Sequence, residues 1–337
     1  MIDLHAKLAT TVVGSFPLSD SEENMKRAID SQIEANIDYI TYGQLKDMNT
    51  MFLEPLIDLD IGIKKIDDQY WIVDELKSIN TPITVEYLDF LKSYTKNNTK
   101  LEGHKVQITG AITLSSILKL SNDSFAIEYD DFLLSIASIV AKIAQFYDES
   151  GVDIISIDEP SLSYAMWLGK ERDLLIDCIN REGSAIKKSC KGMHVCGSIL
   201  GITDLLLETN VTYLDHEFIA HPKNMEEYTK SDLEKYDKIL GLGSVKTTFS
   251  PLDLLKYKEG KISRENIVES KNEIKKHVKQ GIDQFGIENL LIDPDCGFGG
   301  LKNYLDEEAA QTIAFLKMKN MSDAVFEIKK ENKITSV

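Results

Sequence analysis

Two stretches decide how this chain is read: Asp153-Ile154-Ile155-Ser156-Ile157-Asp158-Glu159-Pro160 and Gly192-Met193-His194-Val195-Cys196-Gly197-Ser198. Each is a short β-branched or apolar run that ends in polar residues and a turn former. Between them, Lys170 to Lys188 carries apolar residues at three- and four-residue spacing, the mark of a helix with one buried face. Strand, helix and strand in that order make the strands parallel, because each needs a crossover to return to the same end. The alternation extends both ways. Runs at Thr10 to Phe16, Ile37 to Gly43 and Lys105 to Gly110 precede it, and runs at Val211 to Phe218, Lys238 to Val245 and Asn289 to Gly297 follow. Further helical patterns span Tyr129 to Tyr147 and Arg264 to Phe285. Eight such units predict an α/β chain folded as a (β/α)8 TIM barrel, with a doubly wound open sheet as the alternative.

A length of 337 residues suits one barrel with an insertion. The expected organisation is a single (β/α)8 catalytic domain over residues 1–337, with 44–104 as a long connection after the second strand. Inside that connection, Ile63 to Ile79 reads as a helix with Tyr70, Trp71 and Leu76 available for packing. Long loops after barrel strands build or cover the active face. The charged tail after Met321, Lys329-Lys330-Glu331-Asn332-Lys333, is expected to fray.

Hydrophobic residues make up 43% and charged residues 28%, a soluble globular balance. No apolar run approaches the roughly 18 residues that span a bilayer. The opening Met1-Ile2-Asp3-Leu4-His5-Ala6-Lys7 has no basic region followed by an apolar core, so no signal peptide and a cytoplasmic location are expected. The formal net charge of −17 excludes the basic stripe that nucleic-acid binding requires and is repelled by anionic membranes. Small molecules, or a protein with a complementary surface, are the expected partners. The four cysteines, Cys178, Cys190, Cys196 and Cys296, read as free, buried or metal-bound thiols and not as a disulfide framework.

Chemistry concentrates at strand ends. Alternate strand residues share a face, so His194 and Cys196 project together at the mouth of a barrel, half of a zinc site. Taken alone, that pair reads first as a buried thiol beside a hydrogen-bonded imidazole. The sixth and eighth runs end Leu214-Asp215-His216-Glu217-Phe218 and Ile292-Asp293-Pro294-Asp295-Cys296-Gly297. Tyr213, Asp215 and Glu217 share the inward face, while His216 turns to the helix layer. Four potential ligands from three strand ends therefore converge. Asp158 has the inward parity of Ser156 and suits a substrate ammonium group; a structural acid is the plainer alternative. Val13-Gly14-Ser15 at the end of the first run offers a glycine for close approach, with amides and a hydroxyl for a carboxylate, although by itself it reads first as a tight turn leaving a strand. Gly297-Phe298-Gly299-Gly300 lacks a Walker lysine and reads as a turn.

These motifs in their order are similar to the C-terminal catalytic barrel of cobalamin-independent methionine synthases, especially the short archaeal-type members. The motifs are Thr11-Val12-Val13-Gly14-Ser15-Phe16-Pro17, Ile157-Asp158-Glu159-Pro160, His194-Val195-Cys196-Gly197 and Pro294-Asp295-Cys296-Gly297. The likeness runs from about Thr10 to the final helix. It implies zinc held by His194, Cys196, Glu217 and Cys296, with Glu217 placed by the loosest match. It also implies the homocysteine carboxylate at Val13 to Ser15, its amino group at Asp158, and methyl transfer to the thiol giving methionine.

Three departures bear on the methyl donor. Gly43 to Thr50 matches a stretch where full-length relatives carry a glutamate for the amine, and Thr50 stands at that position. Gly243-Ser244-Val245-Lys246-Thr247-Thr248 holds no histidine to protonate a leaving folate, and Thr109 to Ile117 holds no tryptophan to stack on it. A methylated corrinoid needs neither, because cobalt leaves as a stable reduced species. The expected donor is therefore a methylcorrinoid, presented by a partner protein that could dock on the 44–104 connection. Other readings are a methylcorrinoid transferase with another thiol acceptor such as coenzyme M, and a zinc- or corrinoid-binding module without catalysis. A uroporphyrinogen-decarboxylase-like activity lacks its arginine-rich site.

Overall fold

The computed structural model describes Leu4, His5 and residues 8–334; residues 1–3, 6 and 7, within the opening segment read above for a signal peptide, lie outside the described residues. The strands are β1 (Tyr39–Ile40), β2 (Ile63–Ile66), β3 (Gln69–Ile72), β4 (Gly103–Thr109) and β5 (Leu118–Lys119), then β6 (Ile154–Asp158), β7 (Cys190–Val195), β8 (Tyr213–His216), β9 (Ile239–Gly243) and β10 (Leu290–Asp293). Seven of them form one parallel sheet in the order β1-β4-β6-β7-β8-β9-β10. Its two edges meet on the first run: Thr10 bridges Ile292 of β10, and Thr11 bridges Tyr39 of β1, both parallel. Spatial order follows chain order around the ring, with helices between the strands, so the sheet is a closed barrel and not a doubly wound layer.

The first run is shorter as a strand than its pattern predicts. Beyond Thr11 its backbone leaves the ladder: the Val13 carbonyl accepts from the Gln107 side chain at 2.8 Å, and the Phe16 amide donates to Gly43 at 3.0 Å. Side-chain and loop hydrogen bonds satisfy groups that a neighbouring strand would otherwise take.

The barrel interior is layered. Leu4, Ala9, Tyr39, Ile154, Cys190, Tyr213, Ile239 and Leu291 form an apolar cluster separate from the main core between strands and helices. Higher on the same inward faces come Lys105, Gln107, Ser156, Asp215 and Asp293, all buried. Glycines make room for the large Tyr213 ring, since a Cβ at either Gly192 or Gly241 would meet that ring at 2.8 Å. Two residues further along, the inward faces reach Asp158 and His194.

Two readings are corrected in the connection and the tail. Ile63 to Ile79 is not a helix. β2 and β3 pair antiparallel with Ile66 opposite Gln69, joined by Asp67-Asp68 at φ +48° and +60°. That two-residue turn with both φ positive is the one whose twist matches a hairpin. Alternation on β3, with Tyr70 and Ile72 buried, outweighs the helical spacing. β3 then pairs with β5, which lies in the segment leaving β4, so the hairpin is tied to the C-terminal side of the barrel. The tail does not fray after Met321. The helix Glu307–Glu331 continues because Val325 and Ile328 are buried, and Lys275 pairs with Glu327 and Glu331 at 2.9 and 2.6 Å.

Candidate functional site

His194 lies near the end of β7 and is 2% exposed; Cys196 follows the strand, and Gly197 at φ +79° turns the chain at once. Cys296 arrives from the loop after β10. That loop is pinned by Asp295, whose carboxylate accepts from the amides of Phe218, Ile219 and Ala220 at 2.8, 2.9 and 2.7 Å. Burial nevertheless pushes the Asp295 carboxyl up to about 7. These contacts tie the turn carrying Cys296 to the end of β8.

The result is a compact donor set. His194 Nε2 is 3.0 Å from Cys196 Sγ, and the two sulfurs are 3.5 Å apart. One donor atom from each of His194, Cys196 and Cys296 lies within 4.8 Å of the others. Tetrahedral zinc with bonds of about 2.3 Å to sulfur would separate two thiolates by roughly 3.8 Å, so the arrangement fits zinc with small adjustments. Contact with the Cys196 thiol holds Cys296 well below the ordinary cysteine value, and the same contact with burial pushes Cys196 up. Burial lowers the His194 imidazole, but the neighbouring Cys196 and Asp215 outweigh it and raise the imidazole overall.

These residues open onto a cavity of ≈ 350 Å³, whose lining also includes Val13, Ser15 and Asp158. The size suits a small molecule. Asp158 accepts from Ser156 Oγ at 2.7 Å, and burial pushes its carboxyl up to about 6 despite His194 and Lys105. Six of the eight residues singled out in the sequence therefore share one cavity.

The other two stand beside it. Glu217 is buried, but its carboxylate pairs with His221 at 3.3 Å and lies outside the three-donor cluster. Gly14 does not line the cavity; a Cβ there would meet Gln44 at 2.9 Å and Gln107 at 3.0 Å, so packing demands the glycine. Thr50 sits in the first turn of the helix Met48–Asp58 and accepts from Tyr70 of the hairpin at 3.2 Å. From that segment it is Gln44 to Met48 that line the cavity. Gln44, held at φ +32° just past Gly43, was missed, as was Lys302 on the rim. The end of the second run could have flagged Gln44. His216 turns outward as its parity predicts, stacking on Tyr228 and contacting its hydroxyl at 3.0 Å.

A family described as "Cobalamin-independent synthase, Catalytic domain" matches residues 8–325. A methionine synthase of Methanocaldococcus jannaschii is 30% identical, over 96% of this chain and 100% of its own. Another, of Methanothermobacter marburgensis, is 29% identical over 95% and 100%. Among solved structures, a B12-independent methionine synthase from Shewanella sp. W3-18-1, in complex with selenomethionine, superposes with a TM-score of 0.69 at 18% identity. That match covers 97% of this chain and 99% of the other. A methyltransferase from Methanosarcina mazei superposes with a TM-score of 0.58 at 16% identity, covering 95% and 93%.

Proposed function

The chain belongs to the cobalamin-independent synthase family through its catalytic domain, and from that premise we propose a methyltransferase that converts homocysteine to methionine with a zinc-activated thiol. The observation that carries the reading is the convergence of His194, Cys196 and Cys296 on a cavity that also holds Asp158 and Ser15. Residues 1–337 are taken as one catalytic barrel, with 44–104 as a connection that covers its mouth, working in the cytoplasm. Among the described residues no helix is long and apolar enough to cross a membrane.

Zinc bound by the two thiolates and the imidazole would keep the substrate sulfur deprotonated at neutral pH, which a free thiol is not. Glu217, which pairs with His221 at 3.3 Å, would be the fourth residue to hold the metal. Asp158 takes the substrate ammonium, with Ser156 holding its carboxylate in place. The Val13 to Ser15 turn, braced by Gln107 and by the Gly299 amide on Ser15 Oγ at 3.3 Å, receives the substrate carboxylate. Homocysteine is thereby held at both ends, with its sulfur toward Cys196 and Cys296. The new bond runs from that sulfur to the methyl carbon, while the bond from methyl to donor breaks and its electron pair stays with the leaving group.

For the donor we keep a methylated corrinoid presented by a partner protein. The cavity lining holds a single imidazole, that of His194, and no indole, so the histidine and tryptophan that the resemblance links to a folate donor have no counterpart on it; its aromatic ring is that of Phe16. The family's description as cobalamin-independent speaks for another donor, and the assay separates them. Lys46 and Lys302 on the lining are cations that a sulfonate would need, so coenzyme M belongs in the same assay as a competing acceptor. Zinc-loaded protein is offered homocysteine with either methylcobalamin or methyltetrahydropteroyl-glutamate. Methionine from the corrinoid supports both acceptor and donor; faster turnover with the folate overturns the donor. Bound zinc without transfer to homocysteine or coenzyme M would leave only a binding module.

A further inference from the structure

We propose that Asp215 is a positioning residue that sets the tautomer and ring orientation of His194, and that Lys105 is placed in the barrel to hold Asp215; this rests on His194 being a metal ligand. His194 turns Nε2 toward Cys196, which leaves Nδ1 facing Asp215 Oδ1 at 3.3 Å. The other Asp215 oxygen is 3.6 Å from Lys105 Nζ. His194 and Asp215 are opposite one another in the pairing of β7 with β8, so the backbone register itself brings them together.

The neighbouring acids show why Asp215 is the one available. Asp158 accepts from Ser156 Oγ and Asp293 from Tyr213 Oη, so each has its own hydroxyl donor. Neither Asp215 oxygen has a hydrogen-bond partner of normal geometry among the described residues, and its near contacts are His194 and Lys105. Lys105 Nζ likewise has no hydrogen-bond partner among the described residues; it lies against Asp215 and 5.2 Å from the centre of the Tyr213 ring, and its charge also acts on Asp158 and Asp293. Lysine and aspartate are both fully buried in a region that barrels ordinarily fill with branched apolar side chains. A buried ion pair is costly and often replaceable by apolar residues without loss of stability, which argues for a role other than holding the fold.

A carboxylate on the free nitrogen of a ligand imidazole puts the proton on Nδ1 and aims the Nε2 lone pair at the metal. Lys105 supplies the compensating charge, so this acid adds no net negative charge beneath a centre that already holds two thiolates.

The test uses the full chain. Asp215→Asn, and Asp215→Asn with Lys105→Met to avoid stranding a buried cation, are titrated with zinc against a chromophoric chelator. Both are also loaded with cobalt(II) for visible absorption, and the metal-free proteins are melted. Zinc affinity is expected to fall 10- to 100-fold in both, with altered cobalt absorption and a double variant that melts metal-free like the parent. Unchanged affinity and absorption in the double variant overturn the proposal. So does a loss of affinity that only tracks a loss of metal-free stability with the cobalt spectrum unchanged. His194→Ala and Cys196→Ala in the same titration isolate the underlying reading: if they bind zinc like the parent, the ligand assignment itself fails, whatever Asp215 does.

Discussion

Replacing Cys196 or Cys296 by alanine removes one of the two sulfurs from a three-donor cluster. Either variant is expected to lose zinc and at least a thousandfold in methyl transfer, measured by metal content after dialysis and by methionine formed; full zinc in both would refute the ligand assignment. Asp158→Asn is expected to keep zinc while raising KM for homocysteine about 10- to 100-fold, because one charge-assisted hydrogen bond is lost. Glu217→Gln tests the fourth ligand. Zinc affinity should drop at least tenfold in chelator competition, and an unchanged value would leave three protein ligands. Strand parity made His194, Cys196 and Asp158 legible, since side-chain direction along a strand is local. The pairing of Glu217 with His221 was not legible, because a loop conformation decides it.

The short helix Ala111–Ser115 starts over two buried acids from other elements. Glu159 accepts from the amides of Ile112 and Thr113, and Glu182 from that of Ala111. Burial raises both carboxyls, Glu159 to about 7 with Asp158 adding to the rise, and Glu182 well above the ordinary glutamate value with Glu159 adding to the rise. Three donors on Glu159 favour its charge, so Glu182 keeps the shared proton. The native pair then binds more protons than the unfolded chain from about pH 4.5 upward, and stability declines as pH rises through at least pH 7. Glu182→Gln should flatten that decline, read from urea midpoints between pH 5 and 8; an unaltered slope would show the pair is not its source. The hairpin belongs to this scale too. Asp67→Asn with Asp68→Gly places the favoured residues at two positive φ angles and should add about 0.5–1 kcal/mol, seen as a raised urea midpoint.

Across the whole molecule, one barrel interior serves both packing and chemistry. Gly241→Ala would drive a Cβ to 2.7 Å from Asp293 and 2.8 Å from Tyr213, so the variant should lose about 1–3 kcal/mol, read as a lowered Tm with zinc removed. The sequence alone determined the alternation of strands and helices, the inward parity of their ends, and hence a parallel barrel with imidazole and thiols at its mouth. Those properties follow from short-range periodicity and from the rule that parallel strands need crossovers. Tertiary structure decided the rest. It closed the ring through two residues of the first run, turned a helical-looking segment into a hairpin bound to β5, and left Gln44 rather than Thr50 on the cavity. It also brought Lys105 and His194 against the two oxygens of Asp215. These outcomes depend on contacts between segments tens to hundreds of residues apart, where register and loop packing, and not local pattern, choose which side chains meet.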